Sequence, residues 1–410
     1  MIDKNVRDVI ASNAKRLYST ERMIKEYYAL YDDTIRNEKI LIIDVNYKGS
    51  STGQIVYDLY SNASKYNKIV TVCYGRGPLV KDKNVYKFGL DYETYIHAGL
   101  SRVTGYNGCF SYFSTMRLIK YIEEFKPDIV HIHELHAYFV NIKQLINYLK
   151  GKKMPVIWTF HCEYMYTGKC GYAYDCTNFQ NGCGNCPAVR EYPKSLLFDK
   201  TLQMLKQKKQ VLGDLDFTIV TPSKWSENRV KLSFLKEKEI KTIHNGIDVK
   251  MFYPRIGEKN RVEIDQTKKS VLFVAPTVFD ERKGWQWVEK LAVMMKNENV
   301  NFYLIGQVND ISSRQWPENM RFIGVINDKD LLAEYYSATD VFLMCSKRET
   351  YSMTCAEALC CGTPVVGFES GAPETVFTSE FATFVPYGDA EKLREAILAM
   401  IGTCEMKREI

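Results

Sequence analysis

Two carboxylates eight positions apart, Glu349 and Glu357, have the residue type and spacing best suited to chemistry on a hydroxyl-rich ligand. The first follows an apolar run, residues 341–344, that predicts a buried strand, and the second lies in a segment with a helical pattern, residues 353–361. Amides at the start of such a helix favour an anion, and here they belong to Thr350, Tyr351, Ser352 and Met353. The layout suits a diphosphate flanked by hydroxyl-bearing groups, although glutamates at this spacing also occur as ordinary surface carboxylates.

Two adjacent cations, Arg282 and Lys283, follow a second apolar run at residues 271–275 and precede a helical pattern that begins at Trp285. At a strand-to-helix junction, such cations can bind a diphosphate, the arginine as a planar fork and the lysine as a point charge. Alone they would be typical of a solvated turn. Because ligands of parallel α/β sheets bind at the carboxyl ends of the strands, the cations and the two glutamates together predict a nucleotide-sugar site.

With these motifs the chain resembles the retaining glycosyltransferases of glycosyltransferase family 4, over nearly its whole length. The resemblance implies that Lys283 binds the donor diphosphate, that Glu357 holds the ribose hydroxyls and that Glu349 faces the transferred sugar. His161, at a strand end, matches the family histidine that contacts the donor sugar, and Gly53 occupies the glycine loop after the first strand. We therefore expect catalytic roles for His161, Lys283 and Glu349.

The same resemblance implies the GT-B fold, an α/β architecture in which two Rossmann-like domains with doubly wound parallel sheets face a cleft. It implies transfer from a UDP- or GDP-sugar to a saccharide acceptor, with retention and without a catalytic metal. Segments 245–248 and 371–374 also match family landmarks. Thr277 departs from the pattern, because many members have a second phosphate-binding arginine there. Arg282 or another cation would then supply that charge.

Five of the twelve cysteines lie between Cys162 and Cys186. Cys183 and Cys186 form the close pair that a tetrahedral zinc site uses, whereas Cys170 and Cys176 are spaced more loosely. In a reducing cytoplasm, we expect a structural zinc on these four cysteines rather than two disulfides, with reduced thiols and no metal as the alternative. Cys162 is interpreted as a lone thiol.

The segment from residue 158 to residue 187 is similar to a narrower group, the bacterial exopolysaccharide glycosyltransferases of the colanic-acid type. This resemblance implies a role in the synthesis of a cell-surface polysaccharide, such as an exopolysaccharide, a capsule or an O-antigen. It also implies a saccharide or lipid-linked oligosaccharide acceptor at the inner membrane. Because the Cys-rich insertion, residues 162–187, follows His161 directly, we expect it to contribute to the acceptor side.

Composition indicates an ordinary globular protein, since 46% of the 410 residues are apolar and 25% are charged. Apolar runs such as residues 40–43 are far too short to span a bilayer and no secretory signal precedes them, so we expect a cytoplasmic location. The net charge of +6, from 55 basic and 49 acidic residues, is too small to indicate nucleic acid as a partner. It is compatible with peripheral contact with an anionic membrane.

Alternating strand and helix patterns predict parallel sheets throughout the chain. The predicted strands are residues 40–45, 69–74, 129–132, 156–160, 217–221, 271–275, 302–305, 341–344 and 364–368. A polar stretch without apolar periodicity, residues 252–269, predicts the interdomain linker. It would separate an acceptor domain, residues 38–251, from a nucleotide-sugar-binding domain, residues 252–410.

Residues 1–37 predict an amphipathic helical segment with a break near Ser19. An ordinary helical extension would explain this pattern. However, residues 14–23 and 28–31 resemble the closing helices of the family, whose members have their first strand near the start of the chain. The sequence therefore suggests a circular permutation, which is tolerated where chain termini lie close together at a domain surface.

Other functions fit parts of the sequence. Asp214 and Asp216 match the Asp-x-Asp motif of metal-dependent glycosyltransferases, although aspartates just before a strand more often cap a loop. The segment from His131 to His136 contains three histidines and a glutamate, like a metal site, but a crevice lining at the strand end explains His133 and His136 more simply. A catalytically degenerate GT-B protein and a zinc-module nucleic-acid-binding protein are further alternatives, and the latter requires a concentrated basic face.

Overall fold

A computed structural model describes residues 2–34, 38–255, 261–308 and 315–406. Its strands are β1 (Lys39–Asp44), β2 (Ile69–Tyr74), β3 (Val85–Lys87), β4 (Ile129–Ile132), β5 (Val156–Thr159), β6 (Thr218–Thr221), β7 (Ile240–Thr242), β8 (Lys269–Thr277), β9 (Val300–Gln307), β10 (Met320–Gly324), β11 (Val341–Met344), β12 (Val365–Phe368) and β13 (Ala382–Val385). Its α-helices are α1 (Lys4–Tyr18), α2 (Thr20–Thr34), α3 (Ser51–Ser61), α4 (Asp91–Thr104), α5 (Tyr112–Phe125), α6 (Ile142–Gly151), α7 (Asn178–Asn181), α8 (Thr201–Gly213), α9 (Lys224–Lys231), α10 (Trp285–Met294), α11 (Lys329–Ala338), α12 (Met353–Cys360), α13 (Pro373–Val376) and α14 (Ala390–Met406).

The chain divides into two compact units. The seven-stranded unit is Ile24–His244, and the six-stranded unit is Met1–Met23 together with Asn245–Ile410. Helix α1 therefore belongs to the six-stranded unit, whereas most of α2 belongs to the seven-stranded unit. The middle of the predicted linker, residues 256–260, lies outside the described residues.

The sheet of the seven-stranded unit has the order β3-β2-β1-β4-β5-β6-β7, and all of its neighbouring strands run parallel. Strands β4 and β5 are buried along their whole length, which is why their sequences are continuously apolar or neutral rather than alternating. Trp158 on β5 is completely buried beside Phe160 and Phe217. Each such side chain contributes about 1.5–3 kcal/mol of burial free energy, so this core fixes the strand ends that carry the histidines.

The sheet of the six-stranded unit has the order β10-β9-β8-β11-β12-β13, and its strands are also parallel. Strands β8 and β11 are direct neighbours, with Val271 aligned to Val341. The loops that follow them therefore leave the same edge of the sheet, side by side. This arrangement brings the cationic motif and the first glutamate together.

The predicted fold class, two parallel sheets of the α/β type, is confirmed. The nine predicted strands correspond to β1, β2, β4, β5, β6, β8, β9, β11 and β12, which are the inner strands of the two sheets. The four strands that the sequence did not indicate are β3, β7, β10 and β13, and each lies at a sheet edge. Edge strands here are mostly half-buried, so they lack the continuous apolar run that marks an inner strand.

Helix α1 packs against α12 in the six-stranded unit. At the centre of this contact lies Arg7, which is only 1% exposed. Its guanidinium donates to the Thr339 carbonyl at 2.7 Å, to Thr363 Oγ1 at 3.0 Å and to the Gly362 carbonyl at 3.4 Å. A buried cation therefore ties the N-terminal helix to the turn that follows α12.

Helix α2 contributes three buried tyrosines to the seven-stranded unit. The hydroxyls of Tyr27, Tyr28 and Tyr31 are hydrogen-bonded, in that order, to Thr159 Oγ1 at 3.0 Å, the Leu59 carbonyl at 2.7 Å and His131 Nδ1 at 2.7 Å. The two helices break at Ser19, near the position that the apolar pattern predicts, and Ser19 forms a parallel bridge with Ile247. Both helices are thus integral parts of a unit rather than an exposed extension.

Candidate active site

Lys283 lies in a tight loop between β8 and α10. Asp280 begins this loop, and its Oδ1 accepts a hydrogen bond from the Arg282 amide at 2.9 Å. Gly284 follows with a φ of 81°, and a Cβ at this position would lie 2.1 Å from the Cys345 carbonyl oxygen, just beyond β11. Glycine permits both the left-handed conformation and the close approach, so the loop rests directly against the end of β11.

The structure brings Lys283 and Glu349 together. Lys283 Nζ lies 2.7 Å from Glu349 Oε1, and the two side chains are 32% and 13% exposed. The Glu349 backbone is held in turn by a hydrogen bond from its amide to the Ser370 carbonyl at 2.9 Å and by a parallel bridge with Gly371. Since an ammonium has three donors, Lys283 can keep this ion pair and still bind an anionic oxygen.

The segment between the two glutamates enters α12 through an unusual conformation. Ser352 has a φ of 80° and a ψ of 90°, and no side chain caps the helix at this residue in the described structure. A non-glycine residue in such a conformation costs about 1–3 kcal/mol, and strain of this kind is often found at ligand-binding sites. The adjacent Tyr351 is buried, and its hydroxyl donates to the Asn245 carbonyl at 2.9 Å, while Thr350 and Met353 are half-buried. The first-turn amides of α12 can therefore bind an anion.

Glu357 lies in the second turn of α12 and is half-buried. Its Oε2 accepts a hydrogen bond from the Tyr336 hydroxyl of α11 at 3.1 Å. Burial raises the pKa of Glu357 to about 7, although the hydrogen bond from Tyr336 opposes the shift. A carboxyl with a pKa near 7 and one oxygen held by a tyrosine can accept hydrogen bonds from ligand hydroxyls. In its protonated form it can also donate a hydrogen bond to them.

Arg282 is engaged within its own loop. Its Nε and Nη2 lie 3.2 Å and 2.6 Å from the two carboxylate oxygens of Asp280. Burial alone would raise the pKa of Asp280, but the hydrogen bonds from Arg282 outweigh it, so the pKa is lowered. Because 60% of the Arg282 side chain is exposed, rotation away from Asp280 could present it to a ligand. Its role in donor binding stays a prediction.

Gly53 and His161 belong to the seven-stranded unit, whereas Lys283, Glu349 and Glu357 belong to the six-stranded unit. Gly53 lies in the first turn of α3, and its amide donates to Ser50 Oγ at 3.0 Å. A Cβ on Gly53 would lie 3.0 Å from the backbone nitrogen of Lys48, which leaves little room for any side chain. Any other residue here would require the neighbouring backbone to shift by a few tenths of an ångström.

His161 follows β5 and is 8% exposed. Its Nε2 lies 2.9 Å from His133 Nδ1, and the carbonyl of His133 accepts a hydrogen bond from the Trp158 indole at 3.0 Å. Burial lowers the pKa of His161 to about 4 and that of His133 well below its ordinary value. Both imidazoles are thus neutral at pH 7, and one of them donates to the other.

Cys162 is not the lone thiol that the sequence suggested. Its Sγ lies 3.4 Å from Glu134 Oε2, and the same carboxylate oxygen lies 3.0 Å from His136 Nε2. Burial lowers the pKa of His136, but the adjacent Glu134 charge raises it more, so it lies well above the ordinary value. His136 and Glu134 therefore form an ion pair, with Cys162 as a third member of the group.

The four remaining cysteines of the Cys-rich insertion are not gathered into a metal-binding cluster. Within the described residues, the group of three or more His, Cys, Asp or Glu side chains whose ligand atoms all lie within 4.8 Å is Glu134, His136 and Cys162. Hydrogen bonding between the other cysteines raises the pKa of Cys170 and lowers that of Cys186 to about 6. Cys176 and Cys183 are half-buried nearby in the sequence. The structural zinc predicted for these four residues stays a prediction.

The Asp-x-Asp motif lies on the surface. Asp214 follows α8, its side chain is 81% exposed, and its Oδ2 forms an ion pair with Lys150 Nζ at 3.1 Å. Neither Asp214 nor Asp216 belongs to the cluster of potential metal ligands in the described part of the chain. The arrangement agrees with a loop cap rather than a diphosphate-bound cation.

Sequence reasoning missed several residues that shape the site. Tyr336 fixes Glu357 but precedes it by 21 positions on another helix, so no local motif indicated it. Gly284 could have been recognised, because a glycine between a strand-end loop and a helix often permits close backbone contact. The contact between Glu134 and Cys162 arises because β4 pairs with β5, and a local sequence pattern does not reveal strand pairing.

Two family profiles match the chain. The profile described as "Glycosyltransferase Family 4" matches residues 54–251, and the profile described as "Glycosyl transferases group 1" matches residues 268–403. Among curated relatives, the putative colanic acid biosynthesis glycosyl transferase WcaC of Escherichia coli is 24% identical over 61% of this chain and 62% of its own length. An uncharacterised 41.2 kDa protein of the Klebsiella pneumoniae cps region is 24% identical over 68% of this chain and 70% of its own length. The match thus spans about three fifths of WcaC.

Solved structures share the architecture. Sucrose-phosphate synthase from Thermosynechococcus elongatus superimposes with a TM-score of 0.61 and 17% identity, covering 90% of this chain and 91% of that one. The Anabaena HepE structure in complex with UDP-glucose has a TM-score of 0.58 and 14% identity, with coverage of 90% and 91%. At these identities the likeness concerns the fold, which is GT-B. Since the two profiles together account for most of the chain, the protein belongs to the glycosyltransferases that these two profiles describe.

Proposed function

We propose that the protein transfers a sugar from a nucleotide-diphosphate sugar to a saccharide acceptor, with retention, in the synthesis of a bacterial cell-surface polysaccharide. The observation that carries the proposal is the Lys283–Glu349 pair at the adjoining ends of β8 and β11, with Glu357 two turns into the following helix. The similarity to WcaC and to the cps-region protein supports the polysaccharide context.

The six-stranded unit would bind the donor. Lys283 and the first-turn amides of α12 would stabilise the departing diphosphate, on which negative charge grows as the glycosidic bond breaks. Glu357 would hold the ribose hydroxyls, and Glu349, fixed by Lys283, would accept a hydrogen bond from the transferred sugar. The acceptor hydroxyl would attack the face that the diphosphate leaves. This scheme assigns no catalytic metal, since the protein's own cation and helix amides supply the stabilising charge.

The seven-stranded unit would contribute two further ligand-binding residues. His161 is neutral and orientated by His133, so it can donate to or accept from a sugar hydroxyl without a charge penalty. Gly53, where a side chain would be tightly packed, would let the ligand approach the start of α3. For the nucleotide we propose UDP before GDP, because HepE, of similar fold, was solved with UDP-glucose.

Donor binding can be tested by thermal unfolding with UDP, GDP and ADP. A ligand at 100 times its Kd adds about 2.7 kcal/mol, so one diphosphate should raise Tm by several degrees. Lys283→Met should abolish the shift, whereas Lys296→Met, an exposed lysine of the same unit, should retain it. No shift with any nucleotide would reject the donor site. A shift without sugar transfer to any polysaccharide acceptor would instead support a degenerate binding protein.

We further propose that the protein works at the cytoplasmic face of a membrane on a lipid-linked acceptor. No described helix is both long and apolar enough to cross a bilayer. However, an apolar stripe is exposed along α4 and continues onto the start of α5 and an adjacent loop. We call this surface the exposed apolar face. It consists of Tyr92, Tyr95, Ile96, Leu100, Val103, Tyr112, Phe113, Met116, Leu196, Leu197 and Phe198.

The contacts within the seven-stranded unit join these elements into one surface. The Leu196 amide donates to the Arg102 carbonyl at 2.8 Å, and Glu93 of α4 pairs with Arg117 of α5. Lys200 lies 5.8 Å from the Phe198 ring, and Arg102 is exposed. Aromatic side chains beside cations are typical of proteins that lie on anionic membranes.

Membrane contact can be measured by sedimentation with phosphatidylglycerol vesicles and with phosphatidylcholine vesicles. We expect binding to the anionic vesicles that weakens with salt and is lost in Tyr95→Ser/Phe113→Ser. Leu232→Ser, which changes an exposed leucine elsewhere in the same unit, should bind like the wild type. Equal binding by the double variant and the wild type would count against the exposed apolar face as the contact.

A structural zinc in the Cys-rich insertion is also part of the proposed function. The Cys170–Cys186 hydrogen bond shows that residues from the two ends of the motif approach each other. In addition, the Gly168 amide donates to Cys183 Sγ at 3.3 Å, a contact that also stabilises a metal-bound thiolate. Removal of zinc should then lower Tm, and an unchanged Tm after complete metal removal would reject the site.

A further inference from the structure

A group of potential metal ligands lies in the seven-stranded unit and does not include Cys170, Cys176, Cys183 or Cys186. Glu134 and His136 follow β4, and Cys162 follows the neighbouring β5. One atom of each side chain lies within 4.8 Å of the other two. Glu134 is 7% exposed, whereas His136 and Cys162 are half-buried, so the group is enclosed but reachable.

The distances between these atoms are close to those between the ligands of a small metal ion. Ligand atoms of a tetrahedral zinc ion lie about 3.3–3.8 Å apart, given metal–ligand bonds of about 2.1 Å to nitrogen or oxygen and 2.3 Å to sulfur. Here the sulfur-to-oxygen distance is 3.4 Å and the nitrogen-to-oxygen distance is 3.0 Å. Small shifts would accommodate an ion at the centre of the three atoms.

The surroundings also orient the ligands. With Nε2 directed at the group, the other ring nitrogen of His136, Nδ1, lies 3.4 Å from the Tyr192 hydroxyl. Glu134 is held by its backbone amide, which donates to Asp44 Oδ1 at 3.1 Å. Hydrogen-bonded partners of this kind commonly fix the ring orientation of a metal-bound histidine.

We propose that Glu134, His136 and Cys162 bind a transition metal of the zinc class, with a fourth coordination position open to water or another oxygen. A set of one sulfur, one nitrogen and one oxygen ligand favours Zn²⁺, Fe²⁺ or Co²⁺ over Mg²⁺ and Ca²⁺, which prefer oxygen ligands alone. Three protein ligands leave the open position that distinguishes reactive zinc sites from closed structural ones. Because Cys162 directly follows His161, the ion would lie beside the expected sugar-binding histidine. The inference does not depend on the proposed transferase activity, since metal binding is measured directly.

The test uses metal-stripped full-length protein titrated with Co²⁺, whose thiolate charge-transfer absorption reports a sulfur ligand. To disable the four-cysteine motif, the titration is made in the variant Cys183→Ser/Cys186→Ser, which lacks its close cysteine pair. We expect one Co²⁺ per chain, displaced by Zn²⁺, with the absorption of a single thiolate. Adding Cys162→Ser should abolish that absorption, and adding Glu134→Gln should weaken binding at least tenfold. Adding Cys109→Ser, a half-buried thiol elsewhere in the unit, should change neither.

Two results would overturn the proposal. One is the absence of Co²⁺ binding in the Cys183→Ser/Cys186→Ser variant, which would leave Glu134, His136 and Cys162 as a metal-free hydrogen-bonded group. The other is unchanged thiolate absorption after Cys162→Ser. Far-UV circular dichroism identifies any variant that fails to fold. In that case His136→Asn, at a side chain that is 23% exposed, should weaken Co²⁺ binding at least tenfold with less disturbance of the core.

Discussion

At the scale of single residues, Glu357 should make the protein less stable as the pH rises. Its pKa is raised from an ordinary value near 4.5 to about 7, so the folded state holds a proton that the unfolded state has released. Below pH 4.5 the carboxyl is protonated in both states and does not lower the free energy of unfolding. Between pH 4.5 and pH 7 the free energy of unfolding falls, by about 1–3 kcal/mol in all. Glu357→Gln removes this titration and keeps an acceptor for Tyr336. The variant should match the wild type in Tm at pH 4.5 and exceed it by several degrees at pH 8.

The difference in Tm between the two proteins is the informative quantity. Burial also raises the pKa of Asp44 to about 7, but Asp44 is present in both proteins and cancels from the difference. A difference that does not vary between pH 4.5 and pH 8 would show that Glu357 has an ordinary pKa. The same variant should bind the donor diphosphate more weakly, because an amide accepts ribose hydroxyls less strongly than a carboxylate. Greater stability with weaker binding is expected of a carboxyl retained for function.

At the scale of elements, the hydrogen bonds of Arg7 should contribute much of the free energy that holds α1 in its unit. Burial lowers the pKa of its guanidinium to about 10, yet the side chain donates hydrogen bonds to two backbone carbonyls and one hydroxyl. Arg7→Met keeps much of the volume but leaves these acceptors without a donor. We expect a loss of about 2–4 kcal/mol, measured by urea unfolding. Arg16→Met, at an exposed arginine of the same helix, should change stability by less than about 0.5 kcal/mol.

The elements also show what the sequence could reveal. Inner strands such as β4 and β11 are covered on both faces, so their burial appears as an uninterrupted apolar run. Edge strands such as β3 and β13 are half-buried and carry no such signal. In the candidate site, Lys283 and Glu349 were predictable because each lies in the loop that follows an inner strand. Tyr336 and the Glu134–Cys162 contact were not, because packing between distant segments creates them.

At the scale of the whole molecule, the two N-terminal helices support the proposed circular permutation. Permuted closing helices must pack onto the units rather than away from them. Helix α1 does pack against α12 in the six-stranded unit, and α2 buries three tyrosines in the seven-stranded unit. Closing helices of the family would make contacts of this kind from the opposite end of the chain. We therefore propose that α1 and α2 keep the packing of the family's closing helices, although they are connected to the start of β1 instead of to the end of the chain.

Relocating the helices tests this proposal. In the rearranged variant, residues 38–410 come first and are followed by a flexible Gly/Ser linker and residues 2–34, with two linker lengths compared. If the helices pack independently of their position in the chain, at least one length should give a Tm within about 3 °C of the wild type and the same donor-induced shift. Deletion of residues 2–34 is the matched control. It should yield an unstable protein, since the sites of Arg7, Tyr27, Tyr28 and Tyr31 would be left empty. Failure of both linker lengths to fold would show that the helices must precede β1 and would reject the permutation.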